Sequence, residues 1–207
     1  MTQESSLFTT AASEETLQRL VAKLKERNIE GLIVDNGDDA RKLVQEKLPK
    51  GAEVHSGKSK TLQEAGIFDL IQNPDEYNAL RSRYLKMDRQ TQGREIRKLI
   101  ASPDFMLGSV NAVTEDGILV DTSATGSQLG PYAGTAGKVI LVVGSQKIVH
   151  DLETALRRVR EYVLPWEDAQ VRQVMPIGSF VGKILIIERE WVAGRMEVIL
   201  VRKPIGI

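Results

Sequence analysis

The chain of 207 residues contains no cysteine. That absence excludes a disulfide framework, a thiolate zinc site, a cysteine-ligated iron–sulfur cluster and a cysteine nucleophile. Histidine occurs only twice, which leaves little for a multi-histidine metal centre, so neither a metal nor another cofactor is expected. Neither sign of charge is in excess: 28 Lys+Arg balance 28 Asp+Glu. No surface-wide attraction for nucleic acid or an anionic membrane follows, and any polyanion site must be local. No apolar run approaches the roughly 18 residues of a membrane span. Residues 1–12 (MTQESSLFTTAA) lack the basic and apolar regions of a signal peptide. The expectation is a cytoplasmic protein with a disordered N-terminal segment over 1–12.

What is present alternates between helix and strand signals. Ser13 followed by Glu14 and Glu15 starts a helix, Leu17, Leu20, Val21 and Leu24 share one of its faces, and Asn28 ends it. Residues 31–35 have strand character, and Ala40, Leu43, Val44 and Leu48 mark a second amphipathic helix. Ala52 to His55 predicts a short strand, with a capping box at Thr61 to Glu64 opening the next helix. Another cap at Asn73-Pro74-Asp75-Glu76 predicts a helical segment to about Ala101, broken near Gly93. Phe105 to Val113, Gly117 to Asp121 and Lys138 to Gly144 read as strands, the last buried on both faces. Ile148 to Val163 predicts a long amphipathic helix stopped by Pro165. Lys183 to Glu188 and Met196 to Arg202 predict a closing hairpin around Gly194. No repeat, low-complexity tract or linker divides the chain. The expected fold is one α/β domain over 13–207, with a mostly parallel sheet and helices on both faces.

Three features are candidates for chemistry. His55-Ser56-Gly57-Lys58-Ser59-Lys60-Thr61 lies between a strand and a helix, where backbone N–H groups, a helix dipole and Lys58 or Lys60 would favour an anion. A plain turn with solvated lysines is the competing reading. A nucleotide-binding P-loop does not fit, because Gly51 and Gly57 have five residues between them and Gly51 precedes the strand. His55, at the strand end, is placed to act as acid or base near neutral pH. The small, hydroxylated stretch Thr122 to Gly130, with Thr125, Gly126 and Ser127, suits either a loop closing over an anion or a plain flexible loop. Arg81, Arg83, Lys86, Arg89, Arg94, Arg97 and Lys98 spread around a helix against Asp88 and Glu95. They read as a solvated face, with room for some to line a cleft. His150 reads as structural. No nucleophile–base–orienter series and no dinucleotide fingerprint is present, so no catalytic residue is assigned.

Three segments carry a family resemblance. Gly57 to Gly66 resembles the pattern GxSxTLxExG, Leu107 to Val120 resembles TGxNAxTEDGxLV, and Lys138 to Ala155 resembles KVIxVVGxxKIVxDLExA. In this order and spacing they resemble the LUD domain, named for lactate-utilisation proteins B and C, over nearly the whole chain from about Leu17. The resemblance implies a fold related to ribose-5-phosphate isomerase, glucosamine-phosphate deaminase and CoA transferases, whose ligands bind where loops leave the carboxyl ends of strands. It points to Gly57, Ser59, Thr61, Thr125, Gly126 and Ser127 as cleft-lining, with Lys58 or Lys60 as anion partners. The chain also departs from the pattern. Where many relatives have Asp-x-x-Gly-Asn-Arg, it has Ser123, Gly126, Ser127 and Gln128, losing an Arg that would hold an anion bidentately. Val174 to Gly182 stands where relatives often carry cysteines.

Three functions remain open at this level. The resemblance implies the non-redox subunit of a system oxidising L-lactate to pyruvate, with iron–sulfur partner subunits carrying the electrons. Analogy with the wider fold implies a stand-alone enzyme or sensor for a sugar phosphate, an acyl-CoA or a 2-hydroxy acid. The missing catalytic series favours a non-catalytic interaction protein. A homo-oligomer is expected in each case, with a small anionic ligand in the first two and neither nucleic acid nor membrane as a partner.

Overall fold

Between Glu30 and Ala101 each strand is followed by a helix, and the computed structural model, which describes residues 7–207, shows what this alternation builds. Helix α1 (Glu14–Glu26) is capped by Ser13, whose Oγ accepts from Thr16 N at 3.2 Å. It stops where Asn28 takes the left-handed conformation, φ 60°. Strand β1 (Glu30–Val34), α2 (Gly37–Lys47, capped by Asn36), β2 (Glu53–Ser56), α3 (Lys60–Glu64) and α4 (Ile67–Ile71) follow. After them come β3 (Asn78–Ala79), α5 (Leu80–Tyr84), α6 (Gly93–Ala101), β4 (Phe105–Gly108), β5 (Ala112–Thr114), β6 (Leu119–Ser123), β7 (Lys138–Gly144) and β8 (Ile148–Val149). Helices α7 (Leu152–Arg158) and α8 (Leu164–Arg172) and strands β9 (Lys183–Ile187) and β10 (Met196–Val201) complete the described chain.

Six strands form one all-parallel sheet in the order β1-β10-β7-β4-β2-β3. Its two faces are separated by strand alternation. Val139, Leu141 and Val143 of β7, with Met196, Val198 and Leu200 of β10, pack against Leu17, Leu20 and Leu24 of α1. Ile140, Val142, Ile199 and Val201 point the other way, onto α2, α3 and α4. The expected parallel α/β architecture with helices on both faces is therefore present. A second, four-stranded sheet, β8-β5-β6-β9, lies against the α1 side through Val113, Leu119 and Ile187. Its far face is covered by Ala155 and Val159 and by Phe8.

Several boundaries differ from the sequence reading, each for a local reason. The expected hairpin of β9 and β10 does not form. All six residues of β10 are buried, so it inserts between β1 and β7, while the half-exposed β9 pairs antiparallel with β6 in the other sheet. The single strand expected over Phe105 to Val113 is two strands in two sheets, broken after Gly108. Asn73 to Glu76 opens no long helix. Asn73 makes one turn by accepting from Glu76 N and Tyr77 N, and Asn78 N then bonds Ala52 O at 2.9 Å, pulling the chain into β3. The cap of α3 is Ser59 rather than Thr61, with Leu62 N donating to Ser59 Oγ, and the Glu64 carboxylate is taken by Gly206 N. Pro165 does not stop its helix. The turn Val159–Val163 widens to π geometry, which accommodates a residue with no N–H, and the helix continues as α8. Of the segment expected to be disordered, residues 1–6 lie outside the described part, whereas Phe8 is buried and its carbonyl accepts from Arg158 Nη2.

Burial in these layers sets stability. Ile199 of β10 is fully buried within the parallel sheet and Ile184 of β9 is 37% exposed. Ile199→Ala should cost about 2–5 kcal/mol, and Ile184→Ala about 0.5 kcal/mol. Urea unfolding of both variants checks the ranking, and equal losses would contradict this layering.

Candidate functional site

Because the large sheet is all parallel, the loops after β2, β4 and β7 leave from the same edge. They meet the loop after β6 of the second sheet around a cleft of about 630 Å³. Both sequence candidates line it: Gly57, Lys58, Ser59, Lys60 and Thr61 on one side, Thr125 and Ser127 on the other. Gly126 does not line the cleft. Its φ of 88° and the bond from its N to Ser123 Oγ at 2.8 Å make it the residue that turns the loop. The helix dipole expected behind Gly57 to Thr61 is weak, since α3 has only five residues, and Ser59 is occupied in capping it. Lys60 is drawn to Glu64 at 3.3 Å. Among the described residues Lys58 has no ion pair and remains available to the cleft.

The floor of the cleft is built by residues that pattern reading missed. Ser145, Gln146 and Lys147 make a tight turn at the end of β7, and all three are buried. Ser145 Oγ donates to Arg202 O at 2.6 Å. Gln146 accepts from Ile205 N at 3.2 Å and donates to Ile205 O at 3.0 Å. With two side chains tied to the C-terminal segment, Lys147 is left directed into the cleft. Its Nζ donates to Thr61 Oγ1 at 2.9 Å, Ser109 Oγ at 3.0 Å and Val110 O at 3.3 Å. All three acceptors are uncharged, and among the described residues Lys147 has no ion pair. Burial, and then the positive charge of Arg158, bring its amine from 10.5 down to about 7, with Asp121 and Glu64 pulling the other way.

Asp121, the middle residue of β6, lines the same floor and is 5% exposed. Burial raises its carboxyl from 3.8 to about 7, against the hydrogen bond from Gln128 Nε2 at 3.3 Å and the charge of Lys147. Gln128, standing where the family pattern has Arg, thus holds Asp121 with a neutral donor. Tyr132 closes the floor from below, its hydroxyl donating to Ser109 O at 3.3 Å. That position requires Gly108, since a Cβ there would lie 1.6 Å from the Tyr132 hydroxyl. Buried acid and base groups with displaced proton affinities in one cleft are a recognisable mark of a functional site.

The mouth is cationic and aromatic. Arg81 lies over the Phe68 and Tyr84 rings, 5.6 and 6.0 Å from their centroids, and donates to Tyr84 Oη at 2.8 Å. Arg81 and Arg89 line the cleft, whereas the rest of the basic series named in the sequence reading does not. His55 also lines it, edge-on to Tyr84 and 2% exposed. Burial and the Arg81 charge lower its imidazole to about 4, so the expected titration near neutral pH does not occur and the ring stays neutral there. No cluster able to hold a metal ion exists among the described residues. No helix among them is long and apolar enough to cross a membrane.

These shifts have signs that pH can test. Native Asp121 keeps its proton to about pH 7, while the unfolded group loses it near 3.8, so its contribution to stability falls as pH rises across that window. Native Lys147 releases its proton near 7 and the unfolded amine near 10.5, so its contribution rises across that window. For His55 the native ring resists protonation down to about 4, and its contribution is lost as pH falls from 6.5. Asp121→Asn should therefore gain on the unsubstituted protein as pH rises from 4 to 7, and Lys147→Met should gain as pH falls from 10 to 7. Urea midpoints at successive pH values test this, and differences flat across both windows would contradict it.

Comparison with known proteins fits this geometry to a family. The fold is similar to that of a DUF162 family protein from Deinococcus radiodurans, crystallised at 1.70 Å resolution, with 12% identity, 93% of this chain and 99% of that chain covered, and a TM-score of 0.54. A ribose 5 phosphate isomerase A from Neisseria gonorrhoeae overlaps less, at 9% identity, 69% of this chain and 57% of that chain, and a TM-score of 0.33. No curated protein matches the chain. A family model described as the LUD domain matches residues 17–201, and with that span of its 207 residues the chain belongs to the LUD-domain family.

Proposed function

We propose that the chain is an enzyme for a small organic anion, transferring a proton between the bound substrate and Asp121 while Lys147 neutralises the substrate's charge. Lys147 carries this reading: it is a fully enclosed amine at the cleft floor whose hydrogen-bond partners are all uncharged. A buried cation without a counter-ion is costly, and an anion placed beside it offsets that cost. Arg158, also fully buried, adds to the positive potential behind it. Lys58, Arg81 and Arg89 at the mouth suit a second anionic group such as a phosphate. Asp121 is near its midpoint at neutral pH, which suits either giving or taking a proton. Sugar phosphates, acyl-CoA esters and 2-hydroxy acids all present this combination of charge and exchangeable protons.

The test is to record melting curves with these three ligand classes, and then proton exchange in D₂O by NMR for any that stabilise. A ligand at 100 times its Kd should add roughly 2.7 kcal/mol. Lys147→Met should abolish that gain, and Asp121→Asn should keep binding while stopping deuterium entry at the substrate carbon. Uniformly flat melting curves, or exchange unaffected by Asp121→Asn, would refute the proposal.

LUD-domain membership together with the lack of cysteine supports a second reading: the non-redox subunit of an L-lactate to pyruvate system, its electrons leaving through iron–sulfur partner subunits. Stabilisation by L-lactate and pyruvate but not by sugar phosphates would favour it. The reverse pattern would favour the stand-alone enzyme.

A further inference from the structure

Three lysines line the cleft, and they differ in a way that bears on covalent chemistry. Lys60 is drawn to the Glu64 carboxylate and Lys58 sits on the open side. Lys147 alone of the three is enclosed, with two hydroxyls and a carbonyl around its Nζ. Thr61 and Ser109 hydroxyls can donate as well as accept, so this surrounding accommodates a neutral amine as readily as an ammonium. Enclosure removes water and the Arg158 guanidinium, itself 0% exposed, repels a second positive charge, and together they outweigh the opposite pull of Asp121 and Glu64. A lysine desolvated beside another cation is the arrangement that exposes an amine lone pair for attack on a carbonyl. Asp121, on the same floor and bonded to the neutral Gln128 amide, is the available proton donor.

We infer that Lys147 is a nucleophile that forms an imine with a small anionic carbonyl compound, of the 2-oxo acid or keto-sugar phosphate type, with Asp121 supplying the proton that leaves as water. The inference deepens the small-anion reading and rests on it. The amine lone pair forms the C–N bond as the carbonyl π pair moves to oxygen. One amine proton passes to that oxygen, giving a carbinolamine. The nitrogen lone pair then expels the hydroxyl, which takes the Asp121 proton and departs as water. A protonated imine remains beside an ionised Asp121, with no oxidant or reductant consumed. The new cation and anion form together, so the floor gains no net charge.

Trapping tests this in the full chain. Pyruvate and dihydroxyacetone phosphate are each incubated with the protein and cyanoborohydride near pH 7, and the product is read by intact mass and peptide mapping. The expected result is one reduced adduct per chain at Lys147, lost in Lys147→Arg, slowed in Asp121→Asn and suppressed by excess inorganic phosphate. The phosphate competition is read on the unsubstituted protein and so holds even if a variant folds poorly. Adducts spread over surface lysines and insensitive to phosphate would overturn the inference. Thermal stabilisation by either probe with no adduct at Lys147 would overturn the imine while leaving the small-anion reading standing. Absence of both stabilisation and adduct would remove the two together.

Discussion

The molecule is organised around one unusual placement, a lysine ammonium or amine in the turn after β7, enclosed and, among the described residues, without an ion pair. Everything near β7 serves that placement. The strand itself is held between β10 and β4. Its terminal turn is fastened to the C-terminal segment by Ser145 and Gln146, and the loops after β2 and β4 bring Thr61 and Ser109 to the amine. Were the turn loose, the side chain would swing to water and regain its solvation. Hydrogen bonds of the neighbours, rather than a salt bridge, keep it inside.

The second sheet follows from the same need. A parallel sheet presents its carboxyl edge to solvent, and a ligand there has walls only where loops rise around it. Here β6 delivers Asp121 to that edge from the side, and Asn111, just before β5, shares the task. The Asn111 Oδ1 accepts from both Thr122 N and Thr122 Oγ1, at 2.7 and 2.8 Å. One charged partner thus comes from each sheet, and the packing of Val113, Leu119 and Ile187 on the α1 side of the large sheet fixes their separation.

Much of the fold could be read from residue order because its strongest signals are local. Ser13 and Asn28 bound α1 in the structure as their chemistry requires, and the unbroken apolar run of β7 does mark a strand buried on both faces. The division into two sheets could not be read, because it depends on which strands meet in space. The run Phe105 to Val113 is interrupted only by Gly108, Ser109 and Asn111, and the need for glycine at 108 comes from a tyrosine lying 24 residues further on in sequence. The two loops at Gly57 and Thr125 were visible as small, polar stretches following strands. Lys147 was not, since within an apolar stretch a polar triplet reads as an ordinary surface turn. The signal that would have found it is position: Ser-Gln-Lys directly follows the carboxyl end of the most hydrophobic strand, and that is the ligand edge of such a sheet.

Gln128 carries a consequence for how the cleft handles protons. An arginine in its place would stabilise only the ionised form of Asp121, and the carboxyl would have shed its proton before any ligand arrived. An amide at 3.3 Å makes no such demand, so the occupancy of Asp121 and Lys147 by protons is free to vary with what enters. An anion settling beside Lys147 raises the affinity of that amine for a proton, and the proton comes from the surrounding buffer. Binding and proton uptake become one thermodynamic event. The heat of complex formation then depends on the ionisation enthalpy of the buffer, and ligand affinity declines as the medium turns alkaline.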